Sequence, residues 1–315
     1  MQFWKPLLLS FCFTSLAYAV PVSTLVVFGD SLSDTGNSYS LSDYRLPAAP
    51  YYKGRFSNGP IWIDTLRALL IAKTSKPLPL LNYAFGGAGV LKMKDASFRL
   101  SQEIDSYLLS HTAVPPDHLL IIWIGANDYL MSPEATKEEV HAVVNTIADN
   151  VTRLVVHGAQ HILIVSLPDL GVTPYARDLE WETELTQLTQ YHNQLLQHKF
   201  VQMQIDHPNL DWIYVDTARI FLDITSESQR YGVTNTREPC LSQAKSEQGV
   251  ATQCNHYVFF DAIHPTALIQ QLIAKKMVQT VLEHSFVSEK NTKKIEFSTL
   301  LNDSLPSLML FSAKE

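Results

Sequence analysis

The stretch that decides the fold is VVFGDSLSDTGNS, Val26 to Ser38. The apolar, β-rich run Leu25, Val26, Val27, Phe28 stops at Gly29, and small polar residues follow: Asp30, Ser31, Ser33, Asp34, Thr35, Gly36 and Asn37. Such a run reads either as a strand leading into a capped helix or as a strand that delivers a nucleophile at its carboxyl end. Five segments of this kind are present: Thr24–Phe28, Leu80–Phe85, Leu119–Ile124, Ile162–Leu167 and Trp212–Val215. Stretches of helical period lie between several of them. From Glu134 to His157, Val140, Val143, Ile147, Val151 and Leu154 recur at helical spacing, with Ser132 and Pro133 as cap and first turn and Gly158 as the stop. Leu185 to Met203 and Leu268 to Leu282 mark two further helices. Strands alternating with helices predict a parallel sheet covered on both faces. Open sheets of that kind bind ligands beyond the carboxyl ends of their strands. Three such exits carry glycine beside potential chemistry: GDSLSDTGN, GGAGV and GANDY.

The first 19 residues read as a leader: Lys5, an apolar core from Leu7 to Leu16, then Ala17-Tyr18-Ala19 as a small-x-small cleavage site. The apolar run is too short to span a bilayer, and no later stretch approaches the ~20 apolar residues a spanning helix needs. An exported protein is therefore expected, with a single domain over residues 20–284 and a tail over 285–315. The formal charge of the chain is −7, and Lys5 is the only charged residue in the leader. That acidic balance gives no electrostatic reason to expect nucleic acid as a partner. Removing the leader also removes Cys12 and leaves Cys240 and Cys254, expected to pair in an oxidising compartment. The chain-entropy model credits such a bridge with roughly 3 kcal/mol.

A serine hydroxyl needs an adjacent base, and histidine held by a carboxylate is the usual one. The chain has eleven histidines, so context must choose among them. FFDAIHPTAL, Phe259 to Leu268, sets Asp261 three residues before His264. On a tight turn that spacing lets the carboxylate reach the imidazole, and the bland reading is a capping aspartate with a surface histidine. His157 and His161 stand four apart but are separated by Gly158, so no metal site is expected there. Acyl transfer also needs donors for a developing oxyanion. Candidates are the backbone N–H of Gly86 or Gly87, the Asn127 side-chain amide and the Ser31 N–H. An amide such as that of Asn127, at the end of a very apolar strand, is costly to bury unpaired.

These four pieces resemble the blocks of the GDSL hydrolases, the SGNH superfamily: FGDSLSDTGNS, NYAFGGAG, GANDY and DAIHPT, in that order along the chain. Lesser similarities are GRFSNGPIW (Gly54–Trp62) and SLPDLGVTP (Ser166–Pro174). The resemblance implies a three-layer α/β/α sandwich, flavodoxin-like, around a parallel sheet of about five strands. It implies Ser31 as nucleophile, His264 as base and then acid, and Asp261 as its orienting partner. The implied oxyanion hole combines the Ser31 N–H, an N–H of Gly86 or Gly87, and Asn127. No cofactor is implied. The long first block and GRFSNGPIW are similar to the bacterial lipolytic branch, which includes lysophospholipases and glycerophospholipid–cholesterol acyltransferases. The expected substrate is then a lipid ester, a lysophospholipid or phospholipid, with acyl transfer to another alcohol open to the same chemistry. A carbohydrate acetylesterase is the alternative, and a non-catalytic lipid-binding protein a more distant one. The polar loop between Cys240 and Cys254 is expected to position the Asp–His turn, and an activating protease acting on it is a further expectation.

Overall fold

The computed structural model describes residues 22–92, 98–243 and 253–285. The expected leader, residues 244–252 of the cystine loop and the tail beyond Ser285 lie outside the described residues. Five strands form one parallel sheet: β1 (Thr24–Gly29), β2 (Leu80–Asn82), β3 (His118–Trp123), β4 (His161–Val165) and β5 (Asp211–Val215). Their spatial order is β2-β1-β3-β4-β5. The three inner strands, β1, β3 and β4, are almost wholly buried, which is why they read as continuous apolar runs rather than alternating ones.

Strand β2 ends earlier than the expected Leu80–Phe85. The Asn82 side chain turns back to accept the Ala84 N–H at 2.9 Å, and its amide donates to the Ser33 carbonyl at 2.7 Å. Beyond it the chain still follows β1, with Tyr83 N–H donating to Val27 and Phe85 N–H to Gly29.

Among the described residues ten α-helices follow in chain order: α1 (Asn37–Leu41), α2 (Trp62–Thr74), α3 (Leu100–Ser110), α4 (Ala126–Leu130), α5 (Lys137–Val156), α6 (Pro174–Asp178), α7 (Glu182–Asp206), α8 (Thr217–Ser226), α9 (Cys240–Gln243) and α10 (Ala267–Ser285). Helices α2, α8 and α10 pack into one layer and α3, α5 and α7 into another, giving the three-layer α/β/α sandwich. Helix α5 buries Val140, Val143, Val144, Ile147, Val151 and Leu154 along one stripe. It starts at the Thr136 cap, not at Ser132–Pro133. Thr136 and Glu139 satisfy each other's backbone N–H groups, at 2.7 and 3.2 Å, a reciprocal arrangement Ser132 lacks.

Chain order and spatial order together position the site. From β1 the chain winds to β2 on one side, then returns to β3 on the other. The connections leaving β1 and β3 therefore part at the carboxyl edge and open a crevice there. Register sets Gly29 opposite Trp123, so both strands end at the same level. Beyond the main sheet, β6 (Asn235–Pro239) and β7 (Tyr257–Phe259) form a small parallel pair. The Cys240–Cys254 disulfide, Cα atoms 5.5 Å apart, is buried there with Phe260, and Tyr51 packs against that cluster.

Candidate active site

At the end of β1 the backbone must pass close to β3. A Cβ on Gly29 would lie 2.4 Å from the Trp123 carbonyl oxygen, so only glycine fits. The chain then turns at once: Ser33 and Asp34 N–H groups donate to the Asp30 carbonyl, and Leu32 N–H donates to Asp30 Oδ1 at 3.0 Å. This turn holds Ser31 at the strand exit, with its side chain toward the segment after β7.

That segment closes tightly. Phe260 N–H donates to the His264 carbonyl, and Asp261 Oδ1 accepts the N–H groups of Ile263 (2.9 Å) and His264 (2.7 Å). Asp261 Oδ2 then lies 2.7 Å from His264 Nδ1, and His264 Nε2 lies 2.8 Å from Ser31 Oγ. Serine, imidazole and carboxylate thus stand in one hydrogen-bonded line. Burial by itself would raise the Asp261 pKa, but the facing His264 and the hydrogen bonds from His264, Tyr51 and Ile263 outweigh it and hold the carboxyl at about 2. The acid is ionised wherever the imidazole needs a partner.

Tyr51 was not singled out by sequence. Its hydroxyl donates to Asp261 Oδ2 at 2.7 Å, and its ring meets Phe260 edge-on at 5.1 Å. Burial, and then the Asp261 charge, push its phenol pKa up, so it acts as a fixed donor. The GRFSNGPIW segment holds the histidine turn from the other side. Ser57 Oγ donates to the Pro265 carbonyl, Asn58 Oδ1 accepts the Ala267 N–H, and the Phe56 ring lies 5.2 Å from that of His264.

The remaining candidates come from the exits of β2 and β3. Asp34 is the anchor between blocks: it accepts Gly36 and Asn37 N–H at Oδ1, and Ser38 and Gly86 N–H at Oδ2. The two adjacent glycines consequently differ. Gly86 N–H is engaged by Asp34 (2.9 Å) and Ser38 Oγ (2.8 Å), and a Cβ there would strike the Phe56 ring at 2.3 Å. Gly87 has φ +76° and an N–H with no acceptor among the described residues. The Ser31 N–H is likewise without an acceptor among them. Asn127, on the first turn of α4, donates one amide proton to the Ala88 carbonyl at 2.8 Å, which draws the glycine loop against the exit of β3. Its neighbour Asp128 fastens the same loop by accepting the Val90 and Leu91 N–H groups, both at 2.9 Å. Burial raises the Asp128 pKa to about 6.

Two more carboxyls lie beneath the serine. Glu103 on α3 accepts the Gly29 N–H at 2.8 Å, and burial raises its pKa well above the ordinary range. Asp30 is 1 % exposed and its Oδ2 has no hydrogen-bond partner among the described residues. Burial pushes its pKa up to about 7, against the pull of the Leu32 N–H and His264. Glu103 shows in the sequence only as one acidic position of an amphipathic helix, which carries no sign that it supports β1. His157 and His161 turn to separate partners: His157 Nδ1 to the Arg153 carbonyl and His161 Nδ1 to Asp211.

A serine within reach of an oriented imidazole, beside unengaged N–H donors, is an arrangement suited to acyl transfer. The chain belongs to the GDSL-like lipase/acylhydrolase family, which it matches over residues 25–277. It is 34% identical over 226 residues to a phosphatidylcholine-sterol acyltransferase of Aeromonas hydrophila, covering 69% of this chain and 65% of that one. It is 28% identical to a thermolabile hemolysin of Vibrio parahaemolyticus over 280 residues (82% and 64%) and 28% identical to the secreted effector SseJ of Salmonella typhimurium over 283 residues (85% and 65%). The matches thus span just under two thirds of the length of each of these relatives. Among solved structures, an aryl esterase of M. smegmatis superposes with a TM-score of 0.52 at 16% identity, covering 84% of this chain and all of that one. A carbohydrate acetylesterase of Sinorhizobium meliloti gives 0.50 at 15% identity, covering 82% and 98%. At such identities the likeness concerns the fold.

Proposed function

We propose that the protein is an exported serine esterase acting on lipid carboxylic esters, with lysophospholipids as its favoured substrates, through an acyl-enzyme. The observation that carries this reading is the line Ser31–His264–Asp261, with contacts of 2.8 and 2.7 Å. In it, Asp261 keeps the His264 proton on Nδ1, leaving Nε2 to take the proton from Ser31 Oγ as it attacks the ester carbonyl carbon. The oxyanion is received by the Ser31 N–H, the Gly87 N–H and the second amide proton of Asn127. Gly87 is preferred to Gly86 because the Gly86 N–H is already engaged. Collapse of the intermediate releases the alcohol, which takes its proton from His264. Water activated by the same imidazole then frees the fatty acid, while a second alcohol in its place completes an acyl transfer. Residues 20–284 form the hydrolase domain in this reading, and the leader directs export.

The lipid preference is supported by family membership and by the phosphatidylcholine-sterol acyltransferase among its relatives. The test is fatty-acid release from lysophosphatidylcholine by the wild type and by Ser31→Ala, with an acetylated sugar in parallel. Release by the wild type alone is expected. Turnover of the acetyl ester without lipid release would replace the reading with a carbohydrate esterase.

A further inference from the structure

The pocket around Ser31 and His264 is narrow, with about 40 Å³ of free space. It has room for the reacting ester group but not for a lipid chain. Beside it lies a much larger hollow of about 720 Å³, between the Asp169–Thr173 segment, α7, α8 and β6. That volume is in the range of small-molecule sites, roughly 300–1,000 Å³. The two hollows share Asp169, Thr173, Phe221 and Phe259 as a common wall. Phe221 and Phe259 are buried, with ring centres 6.0 Å apart. Val172 and Leu222, by contrast, line the larger hollow while 47% and 59% exposed. They extend the apolar wall begun by the two phenylalanines out to the open side of the hollow, as the largely apolar lining of a ligand site does.

We propose that this hollow is an acyl-chain site, taking the long hydrocarbon tail of the substrate while the ester carbonyl sits at Ser31. The inference rests on the esterase reading and specifies which part of the substrate the protein grips. Charge favours a tail over a phosphate headgroup. Arg177 at the rim already pairs with Glu238 (3.0 Å) and Asp178 (2.9 Å), and Arg219 pairs with Asp223 (2.9 Å). Arg237 also lines the hollow, and it is exposed, so its charge stays in water. A tail entering from Ser31 passes the two phenylalanines and then meets Val172 and Leu222. A headgroup taking the same path would lose its water to two benzene rings.

The test compares kcat/KM for hexadecanoyl and butanoyl esters in the wild type, Leu222→Glu and the double variant Val172→Glu/Leu222→Glu. Both positions are substantially exposed, so a carboxylate there leaves the core intact. The hexadecanoyl-to-butanoyl ratio is expected to fall roughly tenfold in the single variant and further in the double. Leu109→Glu, at an 85% exposed position on α3 in the other helical layer, controls for a general effect of an added charge. In parallel, hexadecanoate binding is measured on Ser31→Ala with and without the two glutamates, which are expected to weaken it roughly tenfold. A chain-length ratio within about twofold of wild type in both variants would overturn the proposal. So would a change confined to the partition between transfer and hydrolysis, which would assign the hollow to the acceptor alcohol. If the wild type cleaves no ester at all, the esterase reading fails, and the binding arm still decides whether the hollow holds a chain.

Discussion

Asp261→Asn isolates the role of the histidine tautomer. In the native site Oδ1 accepts two backbone N–H groups at 2.9 and 2.7 Å, while Oδ2 faces His264 Nδ1 and the Tyr51 hydroxyl, each at 2.7 Å. An asparagine keeps both backbone bonds only if its oxygen takes the Oδ1 place. Its NH₂ then faces His264 Nδ1, and two donors cannot share that contact. The imidazole responds by moving its proton to Nε2. Nε2–H now points at Ser31 Oγ, 2.8 Å away, and cannot receive the hydroxyl proton. The flipped amide spares the tautomer but sets NH₂ against two backbone N–H groups, at about 1–3 kcal/mol for each group left unsatisfied. The first arrangement wins, and kcat is expected to fall about 10⁴-fold, as an amide does at this place in a serine-protease triad. That loss corresponds to about 5 kcal/mol of barrier. Initial rates of ester hydrolysis at pH 7 read the effect, and a native unfolding midpoint confirms that the variant folds. A folded Asp261→Asn protein retaining more than about a tenth of the wild-type kcat would refute the tautomer argument.

Asn127→Ala removes one oxyanion donor and is expected to lower kcat about 10²–10³-fold in the same assay. It also leaves the Ala88 carbonyl without its donor, so the unfolding midpoint is expected to drop as well. Asp30→Asn tests the buried carboxyl through pH. Because the folded pKa is raised from 3.8 to about 7, the unfolded chain releases a proton that the folded one keeps, and wild-type stability falls as pH rises from about 4 to about 7. Denaturant titrations should show that slope weakened in Asp30→Asn, with a relative gain of up to about 4 kcal/mol above pH 7; parallel wild-type and variant profiles would contradict it. Replacing both Cys240 and Cys254 with serine is expected to cost about 3 kcal/mol of unfolding free energy. Part of the activity should go with it, since the bridge packs on Tyr51, the donor to Asp261; full activity in a destabilised variant would separate the two effects.

Much of the architecture was legible because the inner strands are buried on both faces and so announce themselves as unbroken apolar runs. The Asp–His turn was legible because its contacts span only three residues. What the sequence hid depends on long-range contact or on competition between local signals. Tyr51 meets Asp261 across 210 positions, from a loop with neither period nor motif. The start of α5 went to Thr136 because a reciprocal cap satisfies two N–H groups, whereas the Ser-Pro pair upstream only resembles a cap. Strand β2 is shorter than its apolar run because the Asn82 side chain turns the backbone with bonds to the Ala84 N–H and the Ser33 carbonyl, although Tyr83 and Phe85 still donate to β1. Gly86 and Gly87 are identical as letters and separate only when Asp34 is seen to occupy one of them. The hollow beside the serine draws on segments too far apart in the chain for any spacing to reveal it.

The proposed nucleophile and its base are 233 residues apart. During synthesis at about 5–20 residues per second, Ser31 precedes His264 by roughly 10–50 s. Throughout that interval the serine is an ordinary alcohol, whatever the first half of the chain has managed to fold. On the proposed mechanism any fragment ending before His264 would be equally inert. For an enzyme read as cleaving lipid esters, this ordering would withhold the chemistry from the cell that makes it until nearly the whole domain exists.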